Sequence, residues 1–117
     1  MSLWGEYIKE KYNKGIVEDD NGFSTYLIFN KEIYIEDIYI VPEKRDQNYW
    51  RILWKQLKPI ILANECETIS CCIFLKSNNP ENSLGWLLKL GFKLTHIIDN
   101  NIIYLKCKLE DYYKNEH

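Results

Sequence analysis

The hydrophobic period along the chain switches several times, and each switch marks an element. Leu3, Trp4, Tyr7, Ile8 and Lys11 fall at helical spacing, so residues 3–13 read as a short amphipathic helix that Gly15 stops. Three strand-like runs follow, 15–19, 23–29 and 33–41, separated by Asp20-Asn21-Gly22 and Asn30-Lys31-Glu32. Turns this short force antiparallel neighbours, so the runs form a meander. In the third run Ile33 and Ile35 occupy odd positions, whereas Ile38 and Ile40 occupy even ones. A strand changes its aliphatic parity only by slipping one residue, which predicts a β-bulge at Glu36-Asp37.

The period becomes helical again over 48–64, where Trp50, Leu53, Trp54, Leu57 and Ile61 line one face and Pro59 kinks or shortens the helix. Residues 68–75 are nearly continuously apolar, the pattern of a buried central strand. Asn79-Pro80 supplies an N-cap followed by proline in the first helical position. Leu84, Leu87 and Leu88 form that helix's buried stripe, and Gly91 ends it. Residues 94–99 and 102–109 make a hairpin around Asp99-Asn100-Asn101, and 110–117 read as a polar tail. The order α-β-β-β-α-β-α-β-β implies an α+β fold. An antiparallel meander leads through a helix into a parallel strand and a C-terminal hairpin, giving a mixed sheet with helices on both faces. At 117 residues this is one domain, 1–117.

Composition narrows the classes. With 46% hydrophobic and 15% aromatic residues the chain can build a core without staples. Lys+Arg 15 against Asp+Glu 17 leaves a net charge of -2, so nucleic acid is not an expected partner. No apolar run reaches the roughly 18 residues of a membrane span, and no signal peptide opens the sequence. A cytoplasmic protein is expected. Cys66, Cys71, Cys72 and Cys107 lack paired CxxC spacing, and neighbours on a strand point to opposite faces, so they read as reduced core thiols rather than a metal site. His96 reads as structural. The 4 Trp, 9 Tyr and 4 Phe either fill the core or cover a subunit interface, and the second option points to a homodimer.

Chemistry concentrates in the stretch from Ile35 to Arg45 and the helix behind it. A strand leaving through Val41-Pro42 delivers the chain to a helix N-terminus near Asn48, whose free N–H groups suit a phosphate. Arg45 and Arg51 flank that point and can add charge-assisted contacts. Glu36 and Asp37 are acidic side chains in an otherwise apolar strand, and an inward carboxylate there would serve as a general base. The alternative is a commonplace strand–helix turn with solvated acids.

At these residues the sequence resembles a known family. Ile35-Glu36-Asp37-Ile38-Tyr39-Ile40-Val41-Pro42-Glu43-Lys44-Arg45 looks like the fourth strand and following loop of GNAT-type N-acetyltransferases. Asn79-Pro80-Glu81-Asn82-Ser83 through Leu87-Leu88-Lys89-Leu90-Gly91-Phe92 is similar to that family's later helix, which ends in a like "KLGF". The resemblance spans nearly the whole chain but lacks the family's first strand and helix, which leaves a sheet edge suited to dimerisation. It implies acetyl-CoA as co-substrate, bound by the bulged strand and phosphate loop, with the pantetheine between that strand and its parallel neighbour over 68–75. Glu36 is then the first candidate base and Asp37 the second, with Tyr39 and Tyr49 the nearest tyrosines to act as acid. Ile40, Val41, Arg45, Asp46, Gln47, Asn48, Tyr49, Trp50, Arg51, Asn79 and Ser83 are the implied cofactor contacts.

Two departures qualify what is implied. The family's loop reads Arg/Gln-x-x-Gly-x-Gly/Ala, and this chain has Arg45-Asp46-Gln47-Asn48-Tyr49-Trp50. Asn48 tolerates a left-handed conformation. Trp50 must either turn into the core stripe or plug the groove. The family's frequent general-acid tyrosine falls on Leu87, which cannot donate a proton. The resemblance therefore implies an acetyl-CoA-dependent N-acyltransferase acting on a primary amine by direct attack. The other reading is a GNAT-like interaction module that no longer binds CoA.

Overall fold

The computed structural model describes residues 2–47, 49–75 and 80–115, with the side chains of 46, 47 and 80–83 left out. Helix α1 (Leu3–Tyr12) precedes a meander of β1 (Gly15–Asp19), β2 (Gly22–Phe29) and β3 (Glu32–Ile40). A 3-10 helix (Pro42–Gln47) leads to α2 (Trp50–Lys55) and α3 (Lys58–Ala63), then β4 (Thr68–Phe74), α4 (Pro80–Lys89), β5 (Lys93–Ile98), β6 (Ile102–Lys108) and α5 (Leu109–Asn115). The strands form one six-stranded sheet in the order β1-β2-β3-β4-β6-β5. β3 and β4 are parallel and every other pair is antiparallel, as the α+β reading requires.

Ser2 caps α1 by accepting the Gly5 N–H through Oγ, and the helix closes on Asn13, whose φ of 55° is left-handed. Asn13 therefore stops this helix, not Gly15. Gly15 answers a different constraint, because a Cβ there would lie 2.0 Å from the Tyr26 ring. Asn30 and Lys31 at φ 48° and 62°, like Asp99 and Asn100 at 52° and 54°, have the left-handed pairs that two-residue hairpins need.

One face of the sheet carries Ile33, Ile35, Ile69, Cys71, Ile103 and Leu105, buried together with Leu53, Trp54, Leu57 and Ile61 of α2–α3 and Leu87 and Leu90 of α4. Helix α1 packs on the opposite face of the meander, where Trp4 meets Phe23 at 6.4 Å between centroids.

Four expectations need correction. The helix over 48–64 is interrupted, as Pro59 implied, but the break precedes that residue: α2 ends at Lys55, the Gln56 N–H turns back to Leu53 and Trp54 carbonyls, and Pro59 sits at the start of α3. Residues 109–115 are helical rather than a polar tail, because Leu109 and Tyr112 are buried in the core. Leu88 lies outside the α4 stripe and is half exposed, while Leu87 and Leu90 are buried. The α1 stripe also fails to bury, since only Gly5 and Ile8 are covered and Leu3, Trp4 and Tyr7 remain exposed. The cysteines are free, with Cys71 and Cys107 buried. Among the described residues no helix is long and apolar enough to cross a membrane.

Candidate active site

Strand β3 builds the centre of the site. Thr25 pairs with Asp37 and Tyr26 with Ile35, so Glu36 has no partner on β2 and is the extra residue of a β-bulge. The bulge returns Ile38 and Ile40 to the side of Ile33 and Ile35, as their sequence parity requires. It also coincides with a parting of strands. β3 and β4 pair from Glu32–Thr68 to Ile35–Cys71 and no further. Beyond that point β3 stays with β2 as far as Ile40–Gly22, while β4 stays with β6 as far as Phe74–Ile102. The sheet therefore parts in its middle beyond the Ile35–Cys71 pair, the vertex of a cleft between β3 and β4.

The loop beyond β3 is tied back to the β1–β2 turn. Val41 N–H donates to the Asn21 carbonyl at 2.8 Å, and Lys44 N–H donates to Val41 at 3.0 Å. The Tyr49 phenol donates to Asp19 Oδ2 at 2.6 Å and accepts from Asn21 Nδ2 at 3.0 Å. The hydrogen bond to Asp19 raises the Tyr49 pKa above the usual tyrosine value. Tyr49 is thus an anchor of the loop, with its proton already committed. Trp50 has turned inward: its ring meets Trp54 edge-on at 4.8 Å and packs against the core. Arg45 Nε donates to the Ile40 carbonyl at 2.7 Å, and its guanidinium lies 5.4 Å from the Tyr39 ring centroid. Arg51 lies over Trp86 of α4 at 5.6 Å. Asn48 and Asn79, and the side chains of Asp46, Gln47 and Ser83, fall outside the described residues.

The two acids differ. The Glu36 carboxylate is ion-paired with Lys14, which stands between α1 and β1. Asp37 is exposed; its N–H donates to Thr25 Oγ1 at 3.2 Å, and that hydroxyl donates to Asp37 Oδ2 at a long 3.4 Å. Tyr39 stacks on Phe23 at 5.8 Å. A pocket of about 360 Å³ opens beside Asp37, between α1 and the meander.

Sequence reasoning missed Tyr34 and Cys72 at the vertex. The Tyr34 hydroxyl donates to Cys72 Sγ at 3.4 Å, and burial pushes the phenol's pKa well up. Strand alternation sets both on the face opposite Ile35 and Cys71, but only the β3–β4 register brings them together. Lys14 was missed as well, because no local pattern couples it to a residue 22 positions away.

No protein-family model matches the sequence, and no curated protein does either. Solved structures do. A protein from Desulfovibrio desulfuricans assigned to the GNAT family of acetyltransferases superposes with a TM-score of 0.67 at 11% identity, covering 89% of this chain and 77% of its own. The PaiA N-acetyltransferase of Thermoplasma acidophilum, solved with coenzyme A, gives 0.67 at 16% identity over 91% of this chain and 69% of its own. The ribosomal-protein-S18-alanine N-acetyltransferase of Escherichia coli gives 0.65 at 11%, covering 92% and 77%. The fold is the GNAT fold.

Within the GNAT fold the two departures now have positions. Trp50, in the place of a small loop residue, is partly buried and packs beside Trp54 against the core. Leu87 is 6% exposed and part of the core, so nothing at that position supplies a proton. Among the described residues no His, Cys, Asp and Glu cluster could hold a metal ion.

Proposed function

We propose that the chain is an acyl-CoA-dependent N-acyltransferase that moves an acetyl group from acetyl-CoA to a primary amine. The observation that carries this reading is the parting of β3 from β4 at the Glu36 bulge, which exposes strand backbone on both sides of a cleft. A pantetheine arm is an extended chain of amides, and such a chain is held by unpaired strand edges. The packing of Trp50 on Trp54 supports the same reading, since an indole held against the core is the alternative to one that plugs the groove. The diphosphate end would meet the 3-10 turn after Pro42, with Arg45, Arg51 and the loop over 46–50 around it. By the family resemblance, Asn79 and Ser83 are further proposed contacts of the cofactor.

In the reaction, Asp37 takes a proton from the incoming ammonium, assisted by Glu36, whose charge Lys14 balances. The free amine attacks the thioester carbonyl, while the β3 N–H of Ile40 polarises its oxygen. The C–S bond then breaks, the CoA thiolate is protonated by water or by Tyr39, and the surplus proton on the acylated nitrogen passes to solvent and replaces the one that donor gave up. No covalent enzyme intermediate is required. Cytoplasmic acetyl-CoA supplies the donor, and the position of β1 at the sheet edge among the described residues supports a homodimer.

A second reading, a non-catalytic interaction module of the same fold, is favoured by one observation: Arg45 is engaged with the Ile40 carbonyl inside the site. Thermal unfolding with acetyl-CoA separates the two. Ligand at 100 times its Kd adds about 2.7 kcal/mol of stability, and amines should then release CoA thiol, detected with a chromogenic disulfide. An unchanged Tm at millimolar acetyl-CoA would leave only the module.

A further inference from the structure

The pocket beside Asp37 has a character of its own. Its volume of about 360 Å³ is that of a small-molecule site, at the lower end of a range of about 300–1,000 Å³. Its walls are aromatic: Trp4 and Tyr12 come from α1, and Phe23 and Tyr39 come from the meander. Three of these rings are left wet, with Trp4 49%, Tyr12 50% and Tyr39 46% exposed. They are nonetheless organised, because Trp4 meets Phe23 edge-on at 6.4 Å and Phe23 stacks on Tyr39 at 5.8 Å. Large rings that pack on one another yet stay exposed around a concavity have apolar surface to give to a ligand.

Charge fixes the kind of ligand. Two charged side chains line the pocket, Asp37 and Lys14. Lys14 is ion-paired with Glu36, so the charge left facing the space is the Asp37 carboxylate. Its only hydrogen bond from a side chain among those described is the long one from Thr25, which leaves room for a stronger donor. Lys14 also stands over the Tyr12 ring at 5.5 Å and Arg45 over the Tyr39 ring at 5.4 Å, so the lining offers the ammonium of a ligand the Asp37 carboxylate and offers its apolar body the rings, chiefly those of Trp4 and Phe23.

Resting on the acyl-transfer reading, we infer that this pocket is the acceptor subsite and that the acceptor is a small primary amine carried on an aromatic body. Asp37 receives the ammonium, and Trp4, Tyr12, Phe23 and Tyr39 enclose the ring. A polyamine or an unbranched alkylamine leaves the rings wet, and a neutral aromatic alcohol leaves Asp37 without its cation.

Isothermal titration of the full chain without CoA tests this with phenethylamine, phenethyl alcohol and spermidine as probes. Phenethylamine should bind at least about tenfold more tightly than either other probe. Trp4→Ala and the isosteric Asp37→Asn should each weaken it about tenfold, while circular dichroism remains that of the parent. With acetyl-CoA added, phenethylamine should drive thiol release faster than spermidine or a lysine peptide. Equal affinity for the three probes, or no binding of phenethylamine at millimolar concentration, overturns the inference. If acetyl-CoA binds and acetyl passes only to spermidine or the peptide, the subsite falls and acyl transfer stands. If phenethylamine binds as described but acetyl-CoA does not bind, the pocket stands as an amine site and acyl transfer falls.

Discussion

Trp50 is the residue on which the two sequence alternatives turned, and its position can be tested directly. Packed against Trp54 and the core, it contributes apolar contact that glycine cannot replace. Trp50→Gly should destabilise the chain by roughly 3 kcal/mol, read from urea midpoints, with no gain in acetyl-CoA affinity. A tighter complex in that variant would mean that the indole obstructs the cleft. The bulge, by contrast, was visible in four isoleucines, because parity along a strand is a one-dimensional signal. Glu36 as the extra residue follows from the register, yet its pairing with Lys14 does not, since the ion pair joins elements that only the fold brings together.

At the scale of elements, the strands were legible and the helix ends were not. Period-2 runs and hairpin turns such as Asn30-Lys31 and Asp99-Asn100 carry their own local chemistry. Helix α5 has no such signal: Leu109 and Tyr112 are two buried residues in a charged segment, and Tyr112 is held by ring contacts with Trp54 and Phe92 that only the fold supplies. Tyr112→Ala should therefore cost about 3 kcal/mol or more in a denaturation experiment, whereas a polar tail would show no change. Likewise α2 and α3 shared one apolar stripe in the sequence, and the turn between them is set by packing and by Pro59. The end of β3 depends on a neighbouring strand in another way. A Cβ at Gly22 would lie 2.3 Å from the Tyr39 carbonyl oxygen, so Gly22→Ala must push the post-bulge segment aside. It should lower stability by about 1–3 kcal/mol and reduce amine-dependent thiol release more than Tm alone would predict.

For the whole molecule, the thiols link stability to pH. Burial holds Cys107 at a pKa of about 11 and pushes Cys71 further up, against an ordinary thiol value of 9.0. Below about pH 9 folded and unfolded chains both keep these protons, and the thiols add no pH dependence. Between about pH 9 and 11 the unfolded chain loses them while the folded chain does not, so ionisation favours unfolding. Urea midpoints should fall from about pH 8 to 10.5, and Cys107→Ala should flatten part of that slope. The architecture, a meander joined to a parallel strand and a hairpin, was legible in the order of periods, and its likeness to GNAT-fold structures at 11–16% identity is a likeness of fold. The cleft was legible only as far as the bulge, and the aromatic pocket was not legible at all. It arises because α1 turns Trp4 toward Phe23 and leaves its own stripe uncovered.

The central claim is that the opening between β3 and β4 takes the thioester end of an acyl-CoA, and amide chemical-shift mapping tests it most directly. Titrating acetyl-CoA into isotopically labelled protein should move the amides of residues 38–41 and 72–75 most, with those around the 3-10 turn following. Shifts confined to other parts of the sheet, or none at millimolar acetyl-CoA, would contradict the account.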